Sequence, residues 1–194
     1  MIVADRSVWY EECDEGWVKL IPTIVTCEYE QNVFTPIHTS IHLSEQDLED
    51  FHVFPRCTVQ SIQEDFAFSR YDTARGKILS QSGTKATVQS PSLPFFLSYQ
   101  INFYAQFKSD IDHITRQWRE FCGRAFSLPV TLATGEKYKC NVDQISYRNQ
   151  DDIEREVRRY IRSYVYRVWV DLEGKTYEAN MVTETNLHKK LSWR

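Results

Sequence analysis

The chain predicts an α+β fold: a mixed, mainly antiparallel β-sheet with one main helix, at about residues 109–122, packed on one face, and extended loops or arms beyond it. Three observations carry this. Residues 95–108 alternate, with Phe95, Leu97, Tyr99, Ile101, Phe103, Ala105 and Phe107 on one side and Ser98, Gln100, Asn102, Tyr104, Gln106 and Lys108 on the other, and a period of two is a strand with one apolar and one wet face. The period then changes to helical, with Ile111, Ile114, Trp118, Phe121 and Cys122 on one stripe. Further on, residues 126–132, a Thr134-Gly135 turn and residues 138–147 read as a β-hairpin.

At about 3.3 Å per residue, a strand of roughly 13 residues spans about 43 Å, far beyond the common length. Ser109 is expected as the N-cap of the helix, with Asp110 and Asp112 at the positive end of its dipole, and Gly123 as its C′ residue. The helix should lie on the apolar strand face, with Trp118 against Tyr99, Ile101 or Phe103.

In chain order, residues 5–20 read as two short strand-like pieces around an acidic turn at Asp14-Glu15-Gly16, and residues 21–30 as a strand with Pro22 at its start or on an edge. Residues 31–54 are an excursion from the core, in which Leu43-Ser44-Glu45-Gln46-Asp47-Leu48 resembles a short helix start. Residues 57–62 form a strand continued by Phe66-Ala67-Phe68. Residues 72–94, rich in Ser, Gly, Thr, Lys and Pro, form either an exposed loop or a hairpin arm reaching a neighbouring subunit, with 85–89 the only stretch able to pair. After a polar break at residues 149–152, residues 151–163 fit a short helix or a strand, and 166–172 alternate as a strand. A single domain therefore spans residues 1–172, followed by a polar C-terminal tail at 173–194 carrying Lys189, Lys190 and Trp193.

With 27 acids against 23 bases the net charge is −4, which argues against wholesale binding to nucleic acid or an anionic membrane while leaving room for a local patch. The apolar opening ends at Asp5, too short for a signal-peptide core, and no window has the apolar length of a transmembrane helix. Five cysteines without a C-x-x-C fit reduced, mostly buried thiols.

Chemistry is sparse. His38 and His42 have the spacing of two ligands on a helix but lack the intervening Glu of a zinc motif; Cys57 and His52 lack a nucleophile turn; the pairs Asp110/Asp112 and Asp151/Asp152 suit a helix start and a solvated turn. No catalytic, cofactor or metal site is expected. The one dense basic cluster is Arg155, Arg158, Arg159 and Arg162, with Arg167 beyond. As a helix it partly neutralises itself through Glu154 and Arg158; as a strand it puts Arg158 and Arg162 on a face with Tyr160, Tyr164 and Tyr166, a strip able to meet phosphates or an acidic protein surface.

Pro55-Arg56-Cys57-Thr58-Val59-Gln60-Ser61-Ile62, the loop to Gly76, the strand and helix from Phe96 to Trp118, and the basic, aromatic run from Arg155 to Leu172 follow an order that resembles the tail-terminator and tail-completion (neck) proteins of tailed bacteriophages. The resemblance rests on pattern and order across residues 55–172. It implies a non-enzymatic structural virion protein, assembled in the host cytoplasm, that forms a homo-oligomeric ring at the tail end or neck. Its partners would be copies of itself, the tail tube, the sheath and neck or connector proteins, with DNA passing without specific binding and no membrane. Contact residues are then expected at Lys77, Lys85, Arg155, Arg158, Arg159, Arg162, Lys189, Lys190 and Trp193. Replacing the four arginines by glutamate should spare folding and abolish assembly. The alternatives are a nucleic-acid-binding accessory protein using the Arg155–Arg167 cluster, or a head-connector or baseplate ring component.

Overall fold

The computed structural model describes residues 7–30, 33–41, 54–71, 77–123, 126–154 and 157–180, with the side chains of 152–158 and 180 left aside. Within them the order is α1 (Tyr10–Ile24), β1 (Thr26–Glu30), β2 (Val33–Pro36), β3 (His38–Ile41), β4 (Arg56–Phe66), a 3₁₀ turn (Phe68–Arg70), β5 (Lys77–Ser82), β6 (Lys85–Gln89), β7 (Leu93–Ala105), α2 (Lys108–Cys122), β8 (Ser127–Thr131), β9 (Lys137–Glu154), β10 (Val157–Leu172) and β11 (Thr176–Asn180).

The main sheet has six strands in the order β3-β4-β7-β10-β9-β8. Only β3 and β4 run parallel; the other pairs are antiparallel. β7 sits at the centre because its residues pair on both sides, Phe103 standing opposite Cys57 on β4 and Arg162 on β10. The apolar side of the expected alternation holds from Leu97 to Ala105, all fully buried, and stops there: Phe107 is 66% exposed and serves as the extended residue before α2. The other side is drier than its polarity suggests, since Ser98 and Asn102 are also buried.

Both helices lie on the same face. Trp118 of α2 packs on Phe103, ring centroids 5.4 Å apart, and its indole N–H donates to the Tyr166 hydroxyl at 2.8 Å. Trp17 of α1 lies 6.1 Å from Tyr99 and 5.7 Å from Tyr166. Each aromatic removed from water here contributes about 1.5–3 kcal/mol, so these rings set the relative position of sheet and helices.

Several sequence expectations are corrected. Residues 10–24 are a helix, with Cys13, Trp17 and Ile21 buried at helical spacing and the Glu12 carboxylate accepting the Trp9 N–H at 2.9 Å. Gly16 marks a packing position and not a turn: a Cβ there would lie 2.7 Å from the carbonyl oxygen of Pro129, so its bareness lets α1 settle on β8. Pro22 is inside α1, and the strand that follows begins only at Thr26. In α2 the N-cap is Phe107; Ser109 is in the first turn, its hydroxyl donating to Asp110 at 3.1 Å. Gly123 has φ −65°, so it closes α2 in the right-handed region.

Strand β4 ends at Phe66, and Phe68 starts the 3₁₀ turn. The excursion at 31–54 is in part sheet: β2 pairs with β1, and β3 joins the main sheet beside β4; the short helix start at residues 43–48 lies outside the described residues. The polar break at 149–152 is inside β9, and 157–163 belong to β10, so the strand alternative holds for this segment. The stretch 77–82 also pairs, running antiparallel to 85–89 with an irregularity at Leu79, which makes the arm a hairpin. The first residues of the expected tail form β11, which pairs with β6 and makes a separate three-stranded sheet in the order β11-β6-β5. No described helix is long and apolar enough to cross a membrane.

Candidate assembly surfaces

The basic cluster does not form one patch, because consecutive residues of a strand face opposite ways. Arg162 shares the helix-side face with Tyr160, Tyr164 and Tyr166 and is 8% exposed. Its guanidinium donates to Asp151 at 3.1 Å and to the Ile161 carbonyl at 2.9 Å, a pair across the β9–β10 ladder. Arg159 points to the other face, its guanidinium 5.9 Å from the Phe54 ring centroid. Arg155, Lys189, Lys190 and Trp193 lie outside the described residues, as does the side chain of Arg158. The fourfold arginine-to-glutamate exchange therefore changes meaning: a glutamate at 162 would be buried against Asp151, and folding itself would suffer.

The face turned away from the helices joins arginines, aromatics and amides. Arg70 lies 5.0 Å over Trp169, Trp169 meets Phe96 edge-on at 5.6 Å, and Arg167 lies 4.9 Å over Phe96. Arg70 is fixed in turn by two bonds to the Asp171 carboxylate, 3.1 and 3.0 Å, and the Trp169 N–H donates to Asp143 at 2.6 Å. At the opposite end of β4 and β7, where Arg56 pairs with Tyr104, Arg56 is 3% exposed and 5.9 Å from the Tyr104 ring; burial pulls its pKa below the usual arginine value.

Lys77 and Lys85 are on the small sheet, one at the outer start of β5 and one beside the Gly83 turn, both exposed. Lys85 lies 3.7 Å from Glu178 of β11. One face of this sheet carries Ile78, Val88 and Tyr177 side by side, since Ile78 and Tyr177 each pair with Val88. Ile78 is 54% and Tyr177 50% exposed. These were not legible beforehand, because β5 and β11 looked like loop and tail; the signal that could have found Tyr177 is the Thr-Tyr-Glu-Ala-Asn alternation after Gly174.

Two clefts among the described residues are open to solvent. One of about 260 Å³ is bounded by Val8, Leu132, Tyr138, Asp171 and Glu173, the other of about 220 Å³ by Cys27, Phe34, Asp110 and His113. Cys57 is fully buried and its thiol is pushed up by burial; His38 is exposed on β3 against the Tyr29 ring; His42 and His52 lie outside the described residues. Asp112 is exposed and held by Lys108 at 2.8 Å. Among the described residues no group of three His, Cys, Asp or Glu side chains is placed to hold a metal ion. In comparisons with known proteins, no family model and no curated protein matches this chain.

Proposed function

We propose that the chain is a non-enzymatic structural part of a tailed-phage virion, forming a homo-oligomeric ring at the tail end or neck and meeting the tail tube, sheath or connector through its outer surfaces. The observation that carries the reading is β structure beyond what the core requires. The three-stranded sheet stands apart from the helix-covered face, and the β9–β10 hairpin overhangs the end of β7, whose last partner on β10 is Tyr160 while pairing with β9 continues to Val157. Strands that continue past the layer they cover supply surface for neighbours. The test is electron microscopy of the purified chain, alone and mixed with tail tubes lacking their end protein. Rings seated on tube ends are expected; a chain that leaves the tubes unchanged overturns the reading.

The arginine and aromatic side chains of the open sheet face favour a second reading, a nucleic-acid-binding accessory protein. A gel shift across salt concentrations separates the two. Phosphate binding by these arginines weakens steeply as salt rises, whereas the ring part shows little binding at any salt.

A further inference from the structure

The small sheet has two open sides among the described residues, β5 on one and β11 on the other. Three other edge strands are blunted. β8 carries Pro129 at its middle, β2 ends in Pro36, and β1 is held to α2 by the Gln117 amide, which accepts from the Thr26 N–H at 3.0 Å and donates to the Thr26 carbonyl at 2.9 Å. β5 reads Lys-Ile-Leu-Ser-Gln-Ser, has no proline and no charge after its first residue, and is exposed throughout. Its apolar row is unfinished at both ends: Val88 is flanked by Tyr177 and Ile78, while each of those has no strand on its outer side among the described residues.

We propose that this sheet is the joint between copies of the chain: the β5 edge of one copy adds to the β11 edge of the next, so the sheet runs on from subunit to subunit. The inference rests on the reading that the protein assembles with its own copies. β5 and β11 are both antiparallel to β6 and so parallel to each other, and the joint is a parallel one. Setting Ile78 beside the next copy's Tyr177 completes the apolar row. It also brings Lys77 diagonally to Glu178 on the polar face, within reach of a long side chain.

Symmetric pairing fits worse. Two antiparallel β11 edges would oppose Glu178, the central residue, to itself, and two β5 edges would set Ile78 against Gln81. The head-to-tail joint is the kind that generates a ring or filament.

Cysteine cross-linking tests this. Within one chain residues 78 and 177 are two strand spacings apart, about 9.6 Å, too far for a disulfide, and four native cysteines are buried with Cys122 half-buried. An Ile78→Cys/Tyr177→Cys chain should give a ladder of linked subunits under mild oxidation. A mixture of the two single variants should give only a mixed dimer. Dimers from either single variant alone would overturn the head-to-tail joint. An oligomer by sedimentation without cross-links would overturn this joint while self-assembly stands, and a chain that stays monomeric would overturn both. In a second test, Ile78→Lys/Tyr177→Lys should weaken association by about tenfold or more while circular dichroism still shows a folded chain; undiminished association would overturn the proposal.

Discussion

The six-stranded and three-stranded sheets obey the same alternation yet bury different amounts of what they carry. On β7, Leu97, Tyr99, Ile101 and Phe103 are fully covered, because strands lie on both sides and two helices lie above. On the small sheet, Val88 is half-buried between its neighbours and Ile78 and Tyr177 are half exposed. The pattern alone decides which residues share a face; burial is decided by what the rest of the chain sets against that face. The first sheet is a folding unit, and the second is a surface held in position by the first.

The sharpest way to break this comparison is to remove the roof. Trp118→Ala deletes the ring over Phe103 and the bond to Tyr166, and a buried aromatic lost this way costs about 3–5 kcal/mol. Chemical denaturation should show that loss, whereas Tyr177→Ala should change stability by well under half as much.

A second break uses pH. Burial raises the thiols of Cys27 to about 12 and Cys122 to about 11, and the Tyr29 and Tyr164 hydroxyls to about 12. These groups favour the folded state in their neutral forms, so their contribution is complete below pH 9, where unfolded thiols begin to ionise, and is lost as pH rises toward 11–12. The unfolding midpoint should fall across that window. β5, β6 and β11 contain no cysteine, so the loss should begin in the main core. A midpoint flat from pH 8 to 11 would contradict it.

The two sheets meet at Gly174, where a Cβ would lie 2.0 Å from the carbonyl oxygen of Ser90, beside the Ser90 N–H bond to the Lys175 carbonyl at 2.9 Å. Gly174→Ala should release β11 from β6 while sparing the helix-covered core. Hydrogen exchange should then lose protection in residues 176–180 and keep it in β7.

How much of this was legible follows from where the signal was local. The 95–105 alternation and the Trp118 stripe need no distant partner to be recognised, and Trp118 on Phe103 is among the contacts expected from them. The helix at 10–24 was hidden because Gly16 and Pro22 read as breakers; Gly16 is set by contact with β8, more than a hundred residues away. The Arg158–Arg162 strip was ambiguous because Ile153, Val157 and Ile161 fall at helical spacing while Tyr and Arg there alternate as in a strand. The choice is made by pairing with β7 and β9, which the local sequence does not contain. The small sheet was the least legible, since its third strand arrives after the whole main sheet.

Two smaller exchanges sharpen the contrast through one interaction in each sheet. Arg162 and Asp151 are 9% and 45% exposed in their side chains, so Asp151→Asn leaves a guanidinium in a largely dry place and should cost about 1–2 kcal/mol. Lys85 and Glu178 are 68% and 74% exposed at 3.7 Å. Water already solvates both charges there, and holding two long side chains together costs entropy, so Glu178→Gln should change the unfolding free energy by less than about 0.5 kcal/mol. A denaturation curve superimposable on that of the unaltered chain is the expected result. A loss as large as that of Asp151→Asn would mean that the small sheet is buried as part of the folding unit, and the division between core and surface drawn from their exposures would fail.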